Sequence, residues 1–410
     1  MSVSEWREVT LGDVCDSVSN THPFEKAKLI FLNTSDVYDG SILHNNYSPV
    51  AEMPGQAKKS IKKGDILYSE IRPKNKRYAM VNFDASDYVV STKFMVIRSN
   101  GLIVNKFLYL YLTSNEVLET LQQVAEARSG TFPQITFSQV AELKLNLPPI
   151  PEQKAIVATL SALDDMIELN NKINKTLEEM AQAIFKSWFV DFEPFKDGEF
   201  ENSELGLIPK GWRVGKLSDV GEIIGGGTPS KSKPEYYSEI GIPWITPKDL
   251  SINKNKYISR GEIDISELGL RESSARLMPK GTVLFSSRAP IGYIAIAKNA
   301  VTTNQGFKSV VPFENISSEY IYLLLKNSIN EIESRATGST FKEISGGEMK
   351  KVPIILPPKE IIRKFNEIAT TLGKTQASLE DENNILMSIR DTLLPKLMSG
   401  EIRVPVEEVV

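Results

Sequence analysis

The sequence is poor in the side chains that most often carry covalent or metal chemistry. Its 410 residues hold one cysteine, Cys15, and two histidines, His22 and His44. A disulfide takes two thiols and a structural zinc site usually about four Cys or His ligands, so one copy of the chain assembles neither. Cys15 follows the apolar-periodic Val9, Leu11 and Val14 and reads as a packing residue. Neither histidine stands near partners that would complete a triad, and both read as surface or loop residues. Long apolar runs are missing too, since nothing approaches the roughly 18 consecutive apolar residues that span a membrane. The opening Met1-Ser2-Val3-Ser4-Glu5-Trp6-Arg7 has neither the basic flank nor the apolar stretch of a signal peptide. A cytoplasmic protein without membrane contact is the expectation. Positive charge is not in excess either: 48 Lys and Arg against 52 Asp and Glu leave a net charge of −4. Taken alone, that balance argues against a nucleic-acid partner. With 41% hydrophobic and 24% charged residues, the chain is expected to form roughly two to four packed units.

Motifs for catalysis are equally scarce. An adenine methyltransferase needs Asn or Asp followed by Pro-Pro and an aromatic residue. The nearest text, Asn146-Leu147-Pro148-Pro149-Ile150, has an inserted leucine and no aromatic. Gly225-Gly226-Gly227-Thr228-Pro229-Ser230-Lys231-Ser232 looks superficially like a phosphate loop, but Ser230 replaces the second glycine and Pro234 falls where the helix should run. No clustered carboxylates suit a two-metal nuclease, and no helicase motif is found. The chain reads as non-catalytic, with no cofactor of its own.

What the sequence does contain is itself, twice. Trp6-Arg7, then Leu11, Asp13 and Val14, recurs as Trp212-Arg213, then Leu217, Asp219 and Val220. Lys63-Gly64-Asp65-Ile66-Leu67-Tyr68-Ser69 recurs as Lys280-Gly281-Thr282-Val283-Leu284-Phe285-Ser286. The Phe107 to Leu112 segment recurs from Tyr320 to Leu325, Gly130-Thr131-Phe132 with Ile135 as Ser339-Thr340-Phe341 with Ile344, and Leu147-Pro148-Pro149 as Leu356-Pro357-Pro358. Ordered matches at offsets of 206 to 217 positions mark an internal duplication. Before each Leu-Pro-Pro, short β-type runs among Gly, Pro, Asn and Ser, with helical pieces at 105–127 and 318–334, predict a mixed α/β domain.

After each Leu-Pro-Pro the period becomes helical, and proline at a first turn is where a helix begins. Ile156, Leu160, Leu163 and Ile167, then Leu177, Ala181, Ile184 and Trp188, step by threes and fours. So do Phe365, Ile368, Leu372, Leu379, Leu386, Ile389 and Leu393. This is heptad spacing, with polar Asn170, Asn174, Thr375 and Glu382 at seam positions that set register. The expected architecture is two similar α/β (α+β) globular domains joined by two long antiparallel coiled-coil helices, with pseudo-twofold symmetry. Its segments are a first globular domain at 1–150, a first spacer helix at 151–192, a linker and second domain at 193–358, a second helix at 359–400 and a tail at 401–410.

Two related heads suit a ligand with two sites, and duplex DNA repeats a face about every 34 Å. Local charge supports this where net charge did not. Lys58 to Arg77 holds eight basic residues against Asp65 and Glu70, a net of +6, and Thr228 to Arg260 nets +3. Acidic residues gather instead on the helices, at Asp164, Asp165, Glu168, Glu178 and Glu179 and at Glu380, Asp381 and Glu382. The rival reading is a two-headed scaffold that grips proteins rather than DNA.

Phe185-Lys186-Ser187-Trp188-Phe189-Val190-Asp191-Phe192-Glu193-Pro194 followed by Leu205-Gly206-Leu207-Ile208-Pro209-Lys210-Gly211-Trp212, and Arg390-Asp391-Thr392-Leu393-Leu394-Pro395-Lys396-Leu397-Met398-Ser399-Gly400-Glu401-Ile402, resemble the conserved regions of specificity subunits of type I restriction-modification systems. Gly225 to Ser230 and Ile242-Pro243-Trp244-Ile245-Thr246-Pro247-Lys248-Asp249-Leu250 resemble that family's target-recognition domains. The first head has no Gly-Gly-Gly-Thr-Pro counterpart. The resemblance implies a DNA-recognition subunit in which each domain reads half of a bipartite, asymmetric target and the helices set the separation of the halves. It implies as partners double-stranded DNA, two methyltransferase subunits and two restriction/motor subunits, with S-adenosylmethionine and ATP on those subunits.

The expected DNA contacts are loop residues. In the first head they are Lys74, Lys76, Arg77, Lys93, Arg128, Ser129 and Thr131. In the second they are Thr228, Ser230, Lys231, Lys248, Arg288, Asn304, Gln305 and Ser339. Phe185, Trp188 and Phe189 are expected either to face outward as a methyltransferase contact or to be buried where helix meets head.

Overall fold

The computed structural model describes residues 6–127, 133–338 and 342–405. Arg128, Ser129, Thr131 and Ser339 lie outside the described residues. The chain forms two compact units, Met1–Met166 with Ile385–Val410, and Ile167–Asn384. Each long helix is thus divided between the units and packs as part of each.

The first unit is built on an antiparallel sheet ordered Cys15–Val18, Phe94–Ser99, Ile66–Ser69, Tyr78–Met80. A second sheet holds Ser48–Pro49, Lys28–Leu32, Tyr88–Ser91 and Ala57–Ser60, with Lys28–Leu32 and Tyr88–Ser91 parallel. Along Phe94–Ser99, Phe94 and Val96 enter one apolar cluster while Met95 and Ile97 enter another. Successive side chains of a strand point to opposite faces, so an unbroken apolar run means a sheet covered on both sides.

The second unit repeats this frame. Its main sheet runs Gly221–Gly225, Lys308–Pro312, Val283–Ser287, Ile291–Ala297, Tyr257–Ile258, and its second sheet again has one parallel pair, Ile242–Ile245 with Thr302–Thr303. Ile66 pairs with Ile97 in the first unit and Val283 with Val310 in the second, so the duplication extends to strand register. The ends of each repeat also pair with each other: Arg7 stands opposite Leu147, and Arg213 opposite Leu356. The helical pieces expected at 105–127 and 318–334 are each broken in two, at Thr113-Ser114 and at Ser328. Thr113 and Ser114 donate to the carbonyls of Tyr109 and Tyr111, the local competition with the backbone ladder that these side chains offer.

The long helices span Ile150–Phe189 and Lys359–Ser399, 40 and 41 residues. In the first unit Arg390 reaches Asp164 at 3.0 Å, and Ile156 and Leu160 share a core with Leu397 and Met398. In the second unit Asn170 donates to Glu382 and Asn383, both at 3.0 Å, and Gln376 donates to the Asn174 carbonyl at 3.2 Å. Numbers that rise on one helix as they fall on the other mean antiparallel packing within each unit.

The heptad reading of the second helix needs correcting by one position. Gln376 and Asn383 are the buried seam residues, while Glu382 meets Asn170 from the exposed edge of the seam, Thr375 is exposed, and Ile368 and Ile389 face outward. The helix here packs on a head as well as on its partner helix, and that second neighbour turns its buried face.

Phe185 and Phe189 are 3% and 7% exposed. Together with the half-buried Trp188 they pack on Phe365, Tyr320 and Trp212, with Phe189 and Phe365 ring centroids 4.9 Å apart. The outward-facing alternative for these three residues is therefore corrected: they are the aromatic core that joins helix to head. Burying rings of this size removes far more apolar surface from water than any exposed placement would.

Candidate nucleic-acid interface

In the second unit the glycine run is what builds the site. A Cβ on Gly226 would lie 2.0 Å from the Asn304 carbonyl oxygen, and one on Gly227 2.3 Å from the Ala275 nitrogen. Only bare backbone fits. Gly227 then donates to the Thr303 carbonyl at 2.8 Å and accepts from the Trp244 indole at 3.0 Å. This holds Thr228 against Gln305, to which it hydrogen-bonds.

The neighbouring turn brings in the rest. Ser287 donates through its backbone to the Gly306 carbonyl at 2.7 Å, and Asn304 accepts from Gly306 at 2.9 Å. Arg288, the next residue, meets Glu343 at 3.2 Å, and Lys308 meets the same carboxylate at 3.3 Å. Thr228, Arg288, Asn304 and Gln305 are therefore brought together. Lys248 stands near them, one residue beyond Pro247, and is paired with Glu262 at 2.5 Å. Ser230 and Lys231 occupy the exposed turn beyond Pro229, where Ser230 bonds Ser232.

In the first unit the basic segment is less bare than its charge suggests. Lys74, Lys76 and Arg77 flank a turn, Pro73–Asn75, that is docked on the helix Asn115–Ala127 by a Gln122 bond to the Lys74 backbone. Lys74 faces Glu119 at 3.8 Å and Lys76 faces Asp39 at 3.3 Å. Arg77 donates to the Ser35 and Val37 carbonyls and lies over the Tyr38 ring, so its guanidinium holds a loop. Lys59 turns inward to the Phe94 carbonyl at 2.7 Å, and burial lowers its pKa. Lys93 is exposed, and its carbonyl accepts from Glu70 in the same way that Gly306 accepts from Ser287.

Register matching adds residues that motif reading passed over. Ile71 bridges Gln134 as Arg288 bridges Glu343. The next residues, Arg72 and Ala289, take left-handed backbone at φ 44° and 49°, each followed by proline. Non-glycine residues held there mark positions the surrounding structure over-determines, often at binding sites. Arg72, Gln134, Lys308 and Glu343 were all within reach of the duplication, had the repeats been compared position by position. The missing Gly-Gly-Gly-Thr-Pro also has its explanation. In the first unit the strand Ala57–Ser60 pairs with Tyr88–Ser91, and Thr21 bridges Lys59 on it. The close backbone contact between Gly227 and Thr303 has no equivalent there.

Cys15 is fully buried, donates to the Leu11 carbonyl, and has its pKa pushed up to about 12 by burial. His22 is in a loop but 8% exposed rather than at the surface, and its Nδ1 accepts from the Phe24 backbone. Among the described residues no three or more His, Cys, Asp or Glu are grouped to hold a metal ion, and no helix is long and apolar enough to cross a membrane.

Two copies of one α/β head, each displaying a different loop surface on the same strand ends, define a duplicated recognition protein. The type I restriction modification DNA specificity domain matches residues 3–179 and 209–387, and the chain belongs to that family. It is 37% identical to the type I restriction enzyme HindI specificity subunit of Haemophilus influenzae, over 98% of this chain and all of that one. It is 45% identical over 193 residues to the MjaIX specificity subunit of Methanocaldococcus jannaschii, which is 47% of this chain and 44% of that one. The crystal structure of a type I restriction-modification S subunit from M. genitalium covers 97% of both chains with a TM-score of 0.54 at 16% identity, a likeness of fold.

Proposed function

We propose that this chain is the specificity subunit of a type I restriction-modification complex, selecting the DNA site at which other subunits act and performing no chemistry itself. Each head reads one half of a bipartite, asymmetric target. The observation that carries this is the pairing of a conserved frame, matched to strand register, with loop surfaces that differ between the heads. Two modification subunits dock on the chain and two motor/nuclease subunits complete the complex, which works in the cytoplasm. S-adenosylmethionine and ATP belong to those subunits.

With Phe185 and Phe189 buried and Trp188 half-buried, the docking surface moves to apolar residues that are exposed on the first helix. Leu169, Ile173 and Met180 are 52%, 37% and 46% exposed and fall on one helical face. Replacing Leu169 and Ile173 by serine should abolish co-purification with the modification subunit while leaving the circular dichroism spectrum unchanged.

The decisive test of recognition is equilibrium binding of the chain with its modification subunits to duplexes of different sequence, over a salt series. Log affinity for DNA should fall with log salt at about −0.9 per phosphate contacted, and one bipartite sequence should be preferred. With its net charge of −4, the chain alone should bind weakly and with little preference. Salt-independent binding, or none even with those subunits, would favour the protein scaffold.

A further inference from the structure

The two heads differ most sharply at one place in the shared frame. Ser286 bridges Phe307 as Ser69 pairs with Phe94, so Lys308 in the second head holds the position of Met95 in the first. Arg288 and Glu343 hold the positions of Ile71 and Gln134. Three charged residues in one head thus replace three uncharged ones in the other, all at once.

In the second head the three charges form one construction. Both oxygens of Glu343 are used, one by Arg288 at 3.2 Å and the other by Lys308 at 3.3 Å. The Lys308 ammonium is largely buried and also reaches the Ser287 hydroxyl at 3.4 Å. On the same turn the amide oxygens of Asn304 and Gln305 accept from the Gly306 backbone and the Thr228 hydroxyl. The first head meets the same demands without charge: Met95 is 2% exposed and packs in the apolar core, and Gln134 is a neutral partner for Ile71.

Two cations on one carboxylate leave a net positive charge. A phosphate could be met by any mobile lysine, and a carboxylate partner would only weaken that contact. What a carboxylate does for an arginine is hold the direction of its guanidinium: Glu343 takes Arg288 through Nη1 alone, which leaves the Nε–Nη2 edge for a base, and an oriented edge is what discriminates one base from another. The guanidinium is the side chain that pairs with both O6 and N7 of guanine in the major groove.

We infer that Arg288, positioned by the Glu343–Lys308 pair, is a guanine-reading residue of the second head, and that the equivalent position of the first head, Ile71, does not read a guanine. This rests on the proposed function, and it adds the base and the residue. Glu343 and Lys308 are positioning residues. The asymmetry of the target follows in part from this site, since the two heads cannot ask the same question at equivalent positions.

The test is to express the chain with its modification subunits in a host and map methylated sites by single-molecule sequencing, alongside competition binding of the same complex to duplexes altered at one base pair. The wild type should give one bipartite motif with at least one guanine in the half that Arg288 governs. Arg288→Lys keeps the charge but loses the fork. It should make one guanine position degenerate, with discrimination there falling roughly 5- to 150-fold, while the other half of the motif stays unchanged. Glu343→Gln should relax the same position to a lesser degree.

The inference is overturned if Arg288→Ala lowers affinity equally for all sequences and reduces the salt slope by about one contact while Arg288→Lys restores both and the motif stays intact, which is the behaviour of a phosphate contact. It is equally overturned if neither variant changes anything. Absence of any bipartite motif from the wild-type complex would instead overturn the proposed function, so the two failures are distinct. The unchanged half-site reports that each variant is folded.

Discussion

The two units fasten a head to the paired helices by different chemistry. In the first, apolar Ile156, Leu160, Leu397 and Met398 join Phe107 and Leu145 in one core, and the polar contribution is smaller: buried Gln153 accepts from the Val104 backbone at 2.7 Å, and Arg403 meets Glu152 at 2.8 Å and lies over Trp6. In the second, the aromatic group of Phe185, Phe189, Tyr320 and Phe365 is flanked by a buried ionic network. Lys256, its side chain 5% exposed, meets Glu178 at 3.2 Å and Gln376 at 2.9 Å, and Lys326 meets Glu178 at 2.7 Å. Glu380 accepts the backbone N–H groups of Lys256 and Tyr257 at 2.7 and 3.1 Å. A fold can be copied faithfully while its junctions diverge, because burial needs only compatible volume in one case and exact pairing in the other. The ionic junction is the more particular of the two, since a buried charge that loses its partner is costly.

The largest effect that would separate the junctions comes from Phe365→Ala, which should destabilise the second unit by about 3–5 kcal/mol. Hydrogen exchange should then quicken around Tyr320 and Trp212 but not around Phe107. Loss of protection in both units would show that the junctions are not independent. Lys256→Ala comes next, at about 3 kcal/mol, because Glu178 and Gln376 lose a shared partner. Arg403→Met combined with Glu152→Gln in the first unit should cost much less, since no charge is left buried without a partner and the Trp6 indole keeps an acceptor, and comparable losses by denaturant titration would break the contrast.

The third prediction concerns pH. Burial opposes the charge of Glu178, but Lys256 and Lys326 outweigh it and hold its pKa at about 2. Burial of Glu380 dominates over its two backbone hydrogen bonds and raises its pKa to about 7. A carboxyl whose pKa is raised on folding binds its proton more tightly in the folded state. Its contribution is therefore greatest below the ordinary carboxyl range near 4.5, and it is lost as pH rises through about 7. The second unit should lose at most about 1.4 kcal/mol per pH unit across that window. Glu380→Gln should flatten the profile, measured as the pH dependence of the denaturation midpoint, and a profile unchanged by that substitution would dismiss the network as its cause.

The last prediction tests a sign. Gly373 is inside a long helix, where alanine is normally favoured by about 1 kcal/mol. Here a Cβ would lie 2.3 Å from the Tyr257 hydroxyl and 2.9 Å from Glu319. Gly373→Ala should therefore destabilise, by about 1–3 kcal/mol, and a stabilised variant would show that the head can retreat from the helix.

Much of this architecture is legible in the residues. The duplication gives two heads, and Leu-Pro-Pro followed by heptad spacing gives two long helices, because local pattern and backbone sterics suffice for both. Polar Asn170 and Asn174 announce a register device before any partner is seen. The candidate interface was legible only in part. Thr228, Arg288, Asn304 and Gln305 were visible as loop chemistry, but Glu343 and Lys308 carry no motif, and their meeting depends on strands far apart in sequence. In the first head Lys59, Lys74, Lys76 and Arg77 each have a partner in the fold, which a count of local charge does not register.

The sequence by itself determined that there are two related α/β heads, each followed by a long helix, and that the chain belongs with DNA specificity subunits. Periodicity and repetition are one-dimensional properties, so one dimension is enough to read them. Only the tertiary structure decided that Phe185 and Phe189 turn inward, that Gln376 and Asn383 fill the seam while Thr375 lies outside it and Glu382 at its edge, and that three charges in one head stand where the other has none. Each of those outcomes depends on which distant neighbour a face meets, and burial, unlike pattern, is settled by the neighbour.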